Sequence, residues 1–149
     1  MASGYLDYAA KAAYAARVLN TIKDTQVSQL IEILESSPED KAIEYTIAFV
    51  ARQVARGPIN EAVGRIIIET LLDIKNKHKE EARDIAREFL GIFKWLYEAS
   101  EKIDIEKLRK LDYEQINFDR FIKFLIETFQ WGCLIMKYWG NDLDKIDVI

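Results

Sequence analysis

Apolar residues recur every three and four positions, not every two, along nearly the whole chain. That spacing puts one apolar stripe on each helix and leaves no strand with a buried face, so an all-α fold is expected. The segment from Ile59 to about Lys75 is representative. Ile59, Val63, Ile66, Ile67, Thr70, Leu71 and Ile74 fall along one side of it. At 149 residues, with only two prolines and six glycines, the chain reads as one compact helical domain, 1–149. About five main helices joined by short connecting helices account for its length.

Punctuation residues divide the pattern. A first helix is expected from about Gly4 to Ile22, with Tyr8, Ala12, Ala15, Leu19 and Ile22 sharing a face. Thr25 is the expected cap of a short helix carrying Val27, Leu30, Ile31 and Leu34. Ser37 caps the next one, with Pro38 at its first position and Glu39 and Asp40 near its positive end. Gly57-Pro58 then forms a tight corner, Gly ending one helix and Pro opening another. A charged bend, Asn76 to Lys79, leads into a helix that carries Phe89, Ile92, Phe93 and Leu96 and closes at Tyr97. Asp112 and Gln115 form a capping box for a terminal helix from Tyr113 to about Trp139. That helix is apolar on more than one side. Phe118, Phe121, Ile122, Leu125, Phe129 and Met136 make one stripe, with Phe124, Trp131, Leu134 and Tyr138 largely off it. It is therefore either central in the bundle or half core and half partner interface, with Phe124, Trp131 and Tyr138 as the interface candidates.

Several function classes find no support. One histidine and one cysteine, His78 and Cys133, give neither a nucleophilic triad nor a zinc ligand set. The acidic residues Glu80, Glu81, Asp84 and Glu88 alternate with cations, which is the pattern of an ion-paired solvent face. The glycines are isolated, so no phosphate-cradling loop is expected. No cofactor, metal or small-molecule substrate is expected. The apolar runs are interrupted by charges before reaching the roughly 18 residues of a membrane span. The N-terminus has no basic-then-apolar leader pattern, and a cytoplasmic location without membrane contact is the expectation.

The net charge of −4 argues against an autonomous nucleic-acid binder, since counterion release provides most non-specific affinity. Any RNA contact must be local. Arg52 and Arg56 lie one turn apart beside the corner, with Arg65 just beyond it. Lys79, Arg83 and Arg87 are spaced by four, with Lys94 seven later, covering about 80° of a helix. Lys11 and Arg17 form a third set. For the Lys79 series the competing reading is a solvent face with Glu80–Arg83 and Asp84–Arg87 pairs. A DNA-reading helix is disfavoured, because Ile66-Ile67-Ile68 after the corner is too apolar for a major groove.

The order of signatures in the last third is a helix closing on Trp95-Leu96-Tyr97, a charged connector, Leu111-Asp112-Tyr113, then the helix FDRFIKFLIETFQWGCLIMKYW. Together with the opening Tyr8-Ala9-Ala10-Lys11-Ala12-Ala13-Tyr14 and the glycine turn after Tyr45–Arg56, it resembles the small all-helical subunit of the type III-B CRISPR RNA-silencing (Cmr) complex. The chain departs from that family in reading Phe49-Val50-Ala51-Arg52 before the turn and Arg56-Gly57-Pro58 at it. The resemblance implies a non-catalytic scaffold whose copies stack head to tail beside larger repeated subunits. Its partners would be those subunits, neighbouring copies of itself, and the guide and target RNA, whose cleavage belongs to other subunits. The alternative from a different class is a helical adaptor that docks a protein through its aromatic terminal helix, with no nucleic acid.

Overall fold

A computed structural model describes residues 3–128. Among them every regular element is helical: α1 (Ser3–Val18), α2 (Asp24–Ser36), α3 (Ala42–Arg56), α4 (Glu61–Lys77), α5 (Ala82–Ala99), α6 (Ile105–Arg109), a 3-10 turn (Tyr113–Gln115) and α7 (Phe118–Thr128). The all-α bundle is as expected. None of these helices is long and apolar enough to cross a membrane.

α1 and α5 form the central pair. Ala9, Ala10, Ala12, Ala13, Ala15 and Ala16 are all buried, so α1 meets neighbours on several sides: α5, α4, α7 and α6. Small side chains make that close approach sterically free. The expected face of α1 is corrected here, for Tyr8 and Leu19 are 48% and 45% exposed. The helix also stops at Val18 instead of Ile22. Asn20 and Ile22 are left-handed (φ 51° and 58°), an ordinary conformation for Asn and a strained one for a β-branched residue. Tertiary bonds hold Ile22 there. Its N–H donates to the Pro58 carbonyl (3.1 Å), and its own carbonyl accepts from the Tyr97 hydroxyl.

α5 supplies the aromatic body of the core. Ile85, Ala86, Phe89, Leu90, Phe93, Leu96 and Tyr97 are buried along one side. Each buried Ile, Leu or Phe among them contributes about 1.5–3 kcal/mol on leaving water. Trp95, in the same Trp-Leu-Tyr run, stands 69% exposed.

Four expected helix starts lie elsewhere. Thr25 sits within the first turn of α2, where the Lys23 N–H is satisfied by Gln26 Oε1 (2.9 Å). Ser37 closes α2 instead of opening α3, its hydroxyl donating to the Ile33 carbonyl (2.6 Å). Pro38 to Lys41 form a turn, and α3 begins at Ala42. Pro58 and Ile59 belong to the corner, and α4 starts after Asn60, whose Oδ1 accepts from the Ala62 N–H (2.8 Å). Asp112 caps only the 3-10 turn, through the Glu114 N–H (3.1 Å). The first turn of α7 is instead served by Asn117, accepting from the Arg120 N–H (2.8 Å), and by Asp7 of α1, accepting from the Phe118 N–H (2.9 Å).

α7 packs on α1 with Phe121 and Leu125 buried and Phe118, Ile122 and Phe124 half-buried. Of the interface candidates on the terminal helix, Trp131 and Tyr138 lie outside the described residues, as does Cys133.

Candidate nucleic-acid interface

The Gly57-Pro58 corner is built as a rigid knuckle. Gly57 is left-handed (φ 105°), and its N–H donates back to the Gln53 and Val54 carbonyls, closing α3. The Pro58 carbonyl accepts from the Thr21 hydroxyl (3.0 Å) as well as from Ile22, and the Thr21 Oγ1 accepts from the Asn60 N–H (2.7 Å). Ile59 is buried beneath it. The close crossing of α3 and α4 that follows needs glycine at 64, where a Cβ would lie 2.3 Å from the Val54 side chain.

This anchoring fixes how α3 faces solvent. Ala42, Ile43, Thr46, Val50 and Gln53 point into the core. On the opposite side Tyr45, Ala48, Arg52, Ala55 and Arg56 are exposed, with exposed Lys41 just ahead of the helix. Tyr45 and Arg52 are two turns apart and Arg56 one turn further, a strip about 16 Å long at 1.5 Å per residue. The one acid of α3, Glu44, is turned to α4 and held by Lys75 at 2.7 Å. That hydrogen bond keeps its carboxyl below the ordinary range. Among the described residues Arg52 and Arg56 make no ion pair. The alanines between them let a flat or grooved partner approach the helix closely.

The other candidate cations are placed differently. Arg65 pairs with Glu61 one turn away (3.2 Å), both well exposed, an interaction of little weight in water. The Lys79 series does not form a continuous stripe, because α5 begins only at Ala82 and Lys79 lies in the preceding turn. Arg83 donates to the Ser37 carbonyl (3.3 Å) and Arg87 pairs with Glu35, so both tie α5 to the end of α2. The expected Glu80–Arg83 and Asp84–Arg87 pairs are absent among the described residues.

Lys11 and Arg17 are drawn into tertiary contacts. Lys11 Nζ donates to the Tyr113 carbonyl (2.9 Å) and lies 4.6 Å from the centroid of that ring. Arg17 stacks on Tyr97 at 3.9 Å, donates to its carbonyl, and reaches Ser100 Oγ at 3.3 Å. It thereby caps the last turn of α5, where a cation is favourable. Burial raises the Tyr97 hydroxyl above its ordinary pKa.

Sequence reasoning singled out Arg52 and Arg56 but missed Tyr45 and Lys41 on the same strip. The signal was present in the seven-residue step from Tyr45 to Arg52, on the side opposite Ile43, Thr46 and Val50. Among the described residues no group of acidic, histidine or cysteine side chains is placed to hold a metal ion.

The chain matches no protein-family model, no curated protein and no solved structure.

Proposed function

We propose that this protein is a non-catalytic helical subunit of a CRISPR RNA-guided RNA-silencing ribonucleoprotein, contacting the RNA backbone through the solvent face of α3. The observation that carries the reading is the exposed strip Tyr45, Arg52, Arg56 ending at a rigid corner, with the one acid of α3, Glu44, turned away to Lys75. Arginine forks recognise phosphate bidentately, and Arg52 and Arg56 present theirs on a helix side that carries no acid of α3, despite the overall charge of −4. The contacts read backbone and shape, without base readout, as suits a wall beside a paired strand. The resemblance of the aromatic and turn signatures to the Cmr small subunit supplies the assembly: copies stacking beside larger guide-holding subunits in the cytoplasm, with cleavage performed elsewhere.

Charge reversal tests this reading. Arg52→Glu with Arg56→Glu leaves the isolated protein folded, since both side chains are exposed, and weakens target-RNA engagement by the assembled complex at least tenfold. Unchanged engagement removes α3 as the contact.

An adaptor without nucleic acid is the competing reading, and one observation favours it: Trp95 is 69% exposed on α5. Large exposed aromatics are typical anchors of protein interfaces. Trp95→Ala abolishing partner capture while the arginine reversals have no effect would decide for the adaptor.

A further inference from the structure

Two adjoining clefts run along α1, away from the α3 strip. One, of about 380 Å³, lies between α1 and α4. The other, of about 550 Å³, lies between α1 and the segment from Glu114 to Arg120. Both are lined by Tyr8 and Lys11, so they form one groove with these two residues at its middle. Each volume is in the range that holds a small ligand.

The groove combines three kinds of group. Aromatic surface comes from Tyr8 and Tyr113, 48% and 37% exposed. Lys11 steadies Tyr113 by its bond to the backbone and its place over the ring. Cations are spread along the length, with Lys77 in the first cleft, Lys11 in the centre and Arg120 in the second. Among the described residues Lys77 meets Asp73 (3.1 Å) and Arg120 meets Gln115 (3.0 Å), which leaves N–H groups free on both, whereas Lys11 is engaged by the Tyr113 and Glu114 carbonyls. Acceptors come from α4 in the first cleft and from Asp7 and Glu114 in the second. Asp73 is occupied, one oxygen taking the Tyr5 hydroxyl (2.8 Å) and the other Lys77. Glu69, exposed one turn before it, lines the same cleft and has no hydrogen bond or ion pair among the described residues.

Aromatic faces with cations alongside suit an unpaired nucleotide, because every base has a π-face and every phosphate a charge. A free carboxylate narrows the choice. Guanine alone among the RNA bases presents two parallel N–H donors, N1–H and the N2 amine, to a single carboxylate. Uracil offers one donor between two carbonyls that repel it.

We infer that this groove binds a guanine nucleotide, its base stacked on Tyr8, its Watson–Crick edge on Glu69, and its phosphate toward Lys77 and Arg120. The same chemistry is offered by a free mononucleotide and by an unpaired guanosine in single-stranded RNA.

Calorimetry on the full chain tests it, with GMP, IMP and UMP as one arm and pentanucleotides carrying one central G, inosine or U as the other. The G forms bind at least tenfold tighter than the U forms, and the inosine forms, lacking the N2 amine, fall between. Glu69→Gln removes the preference of G over U. Tyr8→Ala weakens binding about tenfold by loss of stacking. Tyr8→Phe retains it, which separates stacking from a folding defect. Binding confined to the oligonucleotides identifies RNA as the source, and equal or tighter GMP binding identifies the free nucleotide. No binding in either arm, or equal binding of G and U, overturns the inference. Arg52→Glu with Arg56→Glu leaves this binding unchanged, so failure of this site and failure of the α3 strip are told apart.

Discussion

Arg17 illustrates how a single charged side chain on an alanine-rich helix can hold two helices in register. It caps the α5 carboxyl end through Tyr97 and Ser100 and covers the Tyr97 ring, which in turn holds the strained Ile22 carbonyl. Arg17→Ala is expected to cost about 2 kcal/mol, the sum of a charge-assisted hydrogen bond and a cation–π contact. Arg17→Lys recovers only part, because an ammonium cannot stack and fork together. Urea midpoints measure both. Tyr5 and Asp73 set a pH dependence. Burial first, then the Asp73 carboxylate beside it, pushes the Tyr5 hydroxyl up to about 12. Its contribution is therefore intact below pH 10 and lost as pH rises toward about 12. The Tyr5 hydroxyl and Lys77 hold Asp73 below its ordinary value of 3.8, so that contribution is present above that value and fades as pH falls through the lowered one. Tyr5→Phe flattens both limbs of the stability–pH profile. An unchanged profile would show the pair to be uncoupled from folding.

At the scale of elements, the α3–α4 crossing depends on the absence of one methyl group. Gly64→Ala places a carbon against Val54 Cγ2 and is expected to destabilise by about 1–3 kcal/mol, despite a gain in helix propensity of about 1 kcal/mol. Adding Val54→Ala relieves the clash, so the double variant is less destabilised than the sum of the singles, a coupling that a double-mutant cycle reads directly. The same crossing marks what a sequence can and cannot reveal. Helix existence was legible because the three-and-four spacing of residues such as Ile67, Leu71 and Ile74 encodes burial locally. The Gly57 corner was legible because few residues other than glycine accept its backbone conformation. Helix starts were not, because Ser37, Thr25 and Asp112 are all good caps locally and distant partners decided among them. Asp7, more than a hundred residues away, does for α7 what Asp112 was expected to do. Arg52 and Arg56 were legible as exposed cations because, among the described residues, no ion pair engages them. The tertiary contacts of Lys11 and Arg17 were not legible, because Tyr113 and Tyr97 meet them only after folding. The groove beside Tyr8 was invisible for the same reason.

At the scale of the whole molecule, the proposed function has a chain of net charge −4 engage RNA through the α3 strip where a larger assembly brings the strand to it. On that proposal the α3 strip binds RNA poorly by itself, and the assembled complex carries a salt dependence to which α3 contributes. Replacing Arg52 by alanine is expected to flatten the slope of log affinity against log salt by about one unit, and Arg56→Ala likewise. The loss should be similar for unrelated target sequences, as backbone contacts require. The most direct test is to purify the tagged protein from its native cells and sequence what accompanies it. The account predicts short RNAs sharing a common 5′ end, together with large repeated subunits. Recovery of protein partners with no RNA above background would contradict it.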